Sequence, residues 1–170
     1  MMDGGGHERG LRSGTLNVPA IVGFGKACEL ARTGLAQESL RVKALRDRLK
    51  EKIFGGLDDV VLNGHPTQRL AGNLNVSFAY VEADALLAAV AEEIAVSSGS
   101  ACSSAHPEPS YVIKAIGTPA PLQACSIRFS LGRFNTQEEV DWVAEKIVRT
   151  VRSLRENSPL AAMARENKGT

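Results

Sequence analysis

Residues 97–105 read Ser-Ser-Gly-Ser-Ala-Cys-Ser-Ser-Ala. With nothing bulky to anchor it in a core, such a stretch reads as a mobile loop with one thiol, Cys102, at its centre. A mobile thiol can be swung toward a bound substrate as a nucleophile. An unperturbed cysteine, with a pKa of about 8.5, is mostly protonated at neutral pH, so it needs help from the site it visits. The alternative is a serine-rich surface loop. His106 stands four residues further on and could assist the thiol. It also precedes Pro107 in an expected turn, where it reads as a surface histidine. Cys28 reads as a buried packing residue of a helix. Cys28, Cys102 and Cys125 are odd in number and widely spaced, without a C-x-x-C or H-x-x-x-H pattern, which argues against a disulfide framework or a structural zinc site.

Two further groups have chemistry in them. Arg128 sits in Ser126-Ile-Arg-Phe-Ser130, where Ile127 and Phe129 share one strand face and Arg128 takes the other. If that face lines a cleft, the guanidinium fork suits a carboxylate, at about 1.5–3 kcal/mol for a charged hydrogen bond; otherwise it faces solvent. Arg133, just past the strand, reads as structural. The opening stretch, Asp3 to Thr15, carries five glycines and ends Arg12-Ser13-Gly14-Thr15 before an expected helix N-terminus. Small residues, a hydroxyl and unpaired helix N–H groups can hold a phosphate. The stretch matches neither the P-loop nor the G-x-G-x-x-G fingerprint, so a plain connecting loop is the alternative.

Periodicity supplies the elements that must position these groups. One helix is predicted from near Asn17 to about Thr33, with Pro19 in its first turn. A second runs from about Gln37 to Ile53, with Leu45, Leu49 and Ile53 on one face, and Gly55-Gly56 ends it. Val60 to Leu62 reads as a short strand entering a turn at Asn63-Gly64. Asn73 to Tyr80 alternates as a half-buried strand, with Leu74, Val76 and Phe78 inward and Asn75 and Ser77 on the other side. A helix over Ala83–Glu93, a brief strand over Ile94–Ser97, a short helix from Pro109 to Ile116 and a strand over Ser126–Ser130 follow. Thr136 and Glu139 form a capping box for a last helix along Val140, Val143, Ile147, Val151 and Leu154. After Ser158-Pro159 a flexible tail is expected. Strands interleaved with helices over one core argue an α+β domain, a mostly antiparallel sheet covered by helices.

The 170 residues suit one domain with a real core. A net charge of +1 without a basic block offers no footprint for nucleic acid. The longest apolar run, Ala85 to Ala91, is far short of a membrane span. The opening Met-Met-Asp-Gly-Gly-Gly has neither a basic start nor an apolar stretch, so the expectation is a cytoplasmic protein without a signal peptide.

Five segments together resemble class I, NifS/IscS-like cysteine desulfurases in order and rough spacing. They are Gly4-Gly-Gly-His-Glu-Arg-Gly-Leu-Arg-Ser-Gly-Thr-Leu-Asn17, Asn73-Leu-Asn-Val-Ser-Phe78, Ser97-Ser-Gly-Ser-Ala-Cys-Ser-Ser104, Glu108-Pro-Ser-Tyr-Val112 and Ile127-Arg-Phe-Ser-Leu-Gly-Arg-Phe134. The resemblance implies the small C-terminal domain of a fold-type I pyridoxal-phosphate (PLP) enzyme of the aminotransferase-like α/β superfamily, over residues 17–158. Residues 1–16 would then be a loop left over from the large domain and 159–170 a tail. It implies removal of sulfur from L-cysteine, with PLP as electron sink, to give L-alanine and a persulfide on Cys102. Arg128 matches the arginine that binds the substrate carboxylate. Thr15 matches the threonine that reaches the PLP phosphate of the neighbouring subunit in a homodimer. The implied partners are sulfur acceptors such as an iron–sulfur scaffold.

The family's Schiff-base lysine lies upstream of the glycine loop, after a histidine, and none of the seven lysines here follows a histidine. The expectation is a C-terminal portion that makes no PLP chemistry alone. A non-catalytic persulfide carrier or dimerisation module, and a relative acting on selenocysteine, are the other readings.

Overall fold

The computed structural model describes residues 3–98 and 110–168. The chain divides into two compact units, Met1–Gln37 and Glu38–Thr170, each taken on its own.

In the first unit the glycine-rich stretch is tightly wound. A 3-10 turn covers Glu8–Gly10, and Glu8, Arg9, Gly10 and Gly14 all have positive φ. Ser13 Oγ donates to the Gly5 carbonyl at 2.7 Å, and Arg12 Nη1 donates to the carbonyls of Gly14 at 2.7 Å and Thr15 at 3.0 Å. Helix α1 then runs over Val18–Gly56. The sequence predicts two helices with a break near Gly34, and the structure has one. A glycine inside a helix costs about 1 kcal/mol relative to alanine, too little to end it without a competing cap. Thr33 does not compete, because its hydroxyl bonds back to the Glu29 and Leu30 carbonyls within the helix. Gly55-Gly56 does end it. Cys28, expected to be a buried packing residue, is exposed.

The second unit is built on a four-stranded antiparallel sheet in the order β1-β2-β4-β3: β1 (Val60–Leu62), β2 (Asn73–Phe78), β4 (Ser126–Ser130) and β3 (Ser97–Ser98). Helices α2 (Ala83–Val90) and α5 (Gln137–Glu156) cover its apolar face with the C-terminal part of α1. Leu49, Ile53, Leu74, Val76, Phe78, Leu86, Ile127, Ile147 and Val151 are all at most 2% exposed. The fold is therefore α+β, with helices on an antiparallel sheet. Two short helices, α3 (Tyr111–Ala115) and α4 (Ala120–Gln123), follow β3 in sequence, and α4 has no counterpart in the sequence reading. Beyond Ser158, where a tail is expected, helix α6 forms over Pro159–Lys168, and Ala161 is buried. No helix among the described residues is long and apolar enough to cross a membrane.

The last long helix, α5, forms as its sequence dictates. Thr136 Oγ1 accepts from the Glu139 N–H at 3.2 Å, and Glu139 Oε2 accepts from the Thr136 N–H at 3.1 Å. The Asn135 side-chain amide and then the Thr136 N–H hold the Glu139 carboxyl below its usual pKa. Asp141 ties α5 to α1: Arg48 meets it through Nε at 2.6 Å and Nη2 at 2.8 Å, and Lys52 Nζ lies 3.1 Å away. The Arg48 hydrogen bonds lead in lowering its carboxyl pKa from 3.8 to about 2. A carboxyl with a depressed folded-state pKa stabilises the fold above its unfolded value and loses that effect as pH falls through the folded value. Asp141→Asn should therefore be less stable than the parent at pH 6. Urea midpoints of the two proteins should converge as pH falls from about 4 to 2.

Candidate substrate-binding cleft

Arg128 lies exposed on the sheet face opposite the main core, and its strand neighbours are fixed by register. In β2 it pairs with Asn75, and in β3 with Ser97. Ser126 pairs with Ser77 and Ser130 with Asn73, so this face is a row of polar side chains. A cleft of about 400 Å³ opens over it, lined among others by Asn63, His65, Arg69, Asn75, Ser110 and Arg128. Among the described residues the cleft lining has no carboxylate, so its two guanidinium groups favour an anion.

The wall of the cleft is the Asn63–Asn73 connection between β1 and β2. Arg69 braces it from within, its Nε donating to the His65 carbonyl at 2.9 Å and its Nη2 to the Asn63 carbonyl at 2.8 Å. Burial, reinforced by the Arg46 charge, lowers the Arg69 pKa. The His65 Nδ1 accepts backbone N–H groups from Thr67 at 3.1 Å and Gln68 at 2.9 Å, which places the ring proton on Nε2. Gly72 ends the connection against β4. Its carbonyl accepts from the Leu131 N–H at 2.8 Å, and a Cβ added there would lie 2.1 Å from the Leu131 oxygen.

Beneath the cleft runs a buried polar chain that the sequence reading does not contain. Ser77, expected on the solvent side of β2, is fully buried. The segment around α4 covers it, and its hydroxyl donates to the Leu122 carbonyl at 2.9 Å. Asn63, expected in a turn, is 4% exposed. Its Nδ2 donates to Ser77 Oγ and to Asn75 Oδ1, both at 2.8 Å, and its Oδ1 accepts from the Thr118 hydroxyl at 3.0 Å. One signal was available: asparagine is disfavoured in strands, yet Asn73 and Asn75 alternate on the same face as Ser77.

Of the other residues singled out, Cys102 and His106 lie outside the described residues, with Ser98 and Ser110 the nearest described positions on either side. Ser97 pairs with Arg128 and Ser110 lines its cleft, so both flanks of the Cys102 segment adjoin Arg128. Cys125 is buried, its thiol donating to the Pro121 carbonyl at 3.4 Å, and burial pushes its pKa up. The Arg133 carbonyl accepts from Arg41 Nη2 at 2.7 Å, and its own side chain is exposed. Thr15 is exposed in the first unit. The free helix N–H groups expected after it are already used. Val18 donates to the Leu16 carbonyl, Pro19 has no N–H, Ala20 donates to Asn17 Oδ1, and Ile21 donates to the Asn17 carbonyl. A phosphate beside this helix would find the Thr15 hydroxyl rather than the helix end.

Known proteins give this geometry a context. The family described as Aminotransferase class-V matches residues 5–143. The cysteine desulfurase IscS of Anaeromyxobacter sp. (strain Fw109-5) is 61% identical over 165 residues, 97% of this chain and 41% of that protein. A cysteine desulfurase of Mus musculus is 51% identical over 166 residues, 98% of this chain and 36% of that protein. The chain thus spans about two fifths of these relatives. Among solved structures, a NifS-like protein superposes with a TM-score of 0.76 at 31% identity, covering 89% of this chain and 38% of its own. A NifS-like protein from Rickettsia africae superposes at 0.75 with 29% identity, covering 88% and 39%. The chain belongs to the aminotransferase class V family, and within it is similar to the cysteine desulfurases.

Proposed function

We propose that these residues form the sulfur-accepting and substrate-binding part of a PLP-dependent cysteine desulfurase. The observation that carries the reading is the cleft: Arg128 stands on a polar sheet face, in register with Ser97, five residues after which Cys102 stands. In this reading Arg128 holds the carboxylate of L-cysteine through its guanidinium fork. Cys102, four residues past Ser98, is tethered by the chain to within about 14 Å of that strand end. Its thiolate takes the substrate's sulfur: an S–S bond forms as the Cβ–S bond breaks. Cysteine and enzyme thiol become alanine and enzyme persulfide, without an external oxidant. The persulfide is then open to attack by an acceptor thiol.

PLP supplies the electron sink for this chemistry when bound. The residues here fit one corner of it. Thr15 offers a hydroxyl for the phosphate, and in this reading it serves the neighbouring subunit of a homodimer. None of the seven lysines follows a histidine as the family's imine lysine does; among them Lys26, Lys43, Lys52 and Lys146 are in ion pairs and Lys50 lies over the Phe54 ring. In this reading the imine-forming lysine belongs to another part of the enzyme. The same reading takes 17–158 as the small domain and 1–16 as a loop of the large one. It also takes the cytoplasm as the site of action and an iron–sulfur scaffold as a sulfur acceptor.

Trapping tests this division of labour. The purified chain is mixed with PLP, reduced with borohydride and weighed intact. The expected result is no adduct, or scattered partial labelling. A single stoichiometric adduct on one lysine would mean that the chain carries its own imine lysine, and the assignment of that lysine elsewhere would fail.

A further inference from the structure

The buried polar chain fixes which way the Asn75 amide faces, and that orientation has a chemical use. The deduction starts at the Leu122 carbonyl, which can only accept. The Ser77 hydroxyl spends its proton there, at 2.9 Å, so Ser77 Oγ must accept from whatever else it meets. That neighbour is the side-chain amide of Asn63 at 2.8 Å, which therefore presents Nδ2 to Ser77. The second Nδ2 proton of Asn63 goes to Asn75 at 2.8 Å, so Asn75 turns its Oδ1 inward. The Thr118 hydroxyl completes the set by donating to Asn63 Oδ1 at 3.0 Å. Each link follows from the one before it. The Asn75 Nδ2 group is left with both protons and no acceptor among the described residues, in a side chain that lines the cleft.

Asn75 is also the β2 partner of Arg128. Directly opposed residues of antiparallel strands have Cβ atoms about 4.5–5.5 Å apart on one face. A planar fork and a free amide donor thus stand side by side over a cleft whose lining has no carboxylate among the described residues. A carboxylate has two oxygens and about four lone-pair sites, more than one arginine fills. We infer that Asn75 is a second donor to the substrate carboxylate, its amide oriented by Asn63, Ser77 and Thr118. The inference rests on the reading that Arg128 binds that carboxylate.

The test uses the PLP-loaded full-length desulfurase containing these residues. KM for L-cysteine is measured with the inhibition constant of L-alanine, which carries the carboxylate but no sulfur. Asn75→Ala removes the donor, and Asn63 keeps Ser77 as an acceptor, so the fold should tolerate it. Asn75→Asp keeps the inward oxygen and sets a second oxygen against the ligand. Asn75→Ala should raise both constants about tenfold, the effect of losing a hydrogen bond to a charged group, with kcat within about twofold. Asn75→Asp should raise them further. If both variants leave both constants within about twofold while Arg128→Gln raises them, the inference is overturned and the Arg128 reading stands. If Arg128→Gln also changes neither constant, the Arg128 reading fails and takes this inference with it. A lowered melting temperature with unchanged KM would make Asn75 purely structural and overturn the inference equally.

Discussion

Cys102→Ser in the full-length enzyme should abolish sulfide release from L-cysteine, lowering turnover by about three orders of magnitude or more, while L-alanine binding stays within about twofold. The size follows from what is removed. Serine has nearly the same shape, but its oxygen is protonated at neutral pH and cannot form a disulfide bond to an incoming sulfur. The step then has no acceptor, and nucleophile deletions in enzymes of this kind of two-step chemistry cost factors of this order. In the proposed reading, alanine binding relies on Arg128 and its strand neighbours, which the substitution leaves alone. Two measurements check it: sulfide release under a thiol reductant, and intact mass after exposure to L-cysteine, where the parent alone should gain one sulfur. Unchanged sulfide release would remove Cys102 from the reaction and with it the desulfurase reading.

Gly72→Ala is expected to be the most damaging substitution to the fold of the second unit, by about 3 kcal/mol or more. The added methyl would sit 2.1 Å from the Leu131 oxygen and 3.1 Å from Val42 Cγ1. A flexible side chain could swing aside, but a backbone carbonyl at the end of β4 cannot move alone. The Leu131 N–H is bonded to the Gly72 carbonyl, so relief would have to break that bond or slide β2 along β4. Urea denaturation checks the stability loss. The same variant in the full-length enzyme should raise KM for L-cysteine as well, because the Asn75–Arg128 pairing depends on the same strand contact. A midpoint unchanged from the parent would refute the steric argument.

The elements most legible in the sequence were those that local patterns decide. Helix α5 announces itself through Thr136, Glu139 and the apolar spacing of Val140, Ile147 and Val151, and it forms with both capping hydrogen bonds. Strands β2 and β4 follow from alternation, and so does the placement of Arg128 opposite Ile127 and Phe129. What escaped was decided by distant chain. Gly34 suggested a break that nothing in α1 was placed to exploit. Ser77 looked solvent-facing because alternation marks faces of a strand and says nothing of what covers each. Its cover is supplied from the region of Leu122, some 45 residues later. Asn63-Gly64 read as a turn because that pair is the commonest hairpin signal, and the buried role of the asparagine depends on Asn75, Ser77 and Thr118 together.

The strand order has a consequence for how this unit comes into being. β4 lies between β2 and β3 although it is the last strand in the chain, and β1–β2 alone is a two-stranded hairpin, marginal in water. During synthesis, residues up to Ser98 can therefore complete no four-stranded sheet, and the edge of β2 that pairs with β4 stays open until residues 126–130 leave the ribosome. The strand that completes the sheet is also the one that carries Arg128. A chain that has folded far enough to survive has, by the same event, set its guanidinium between Asn75 and Ser97.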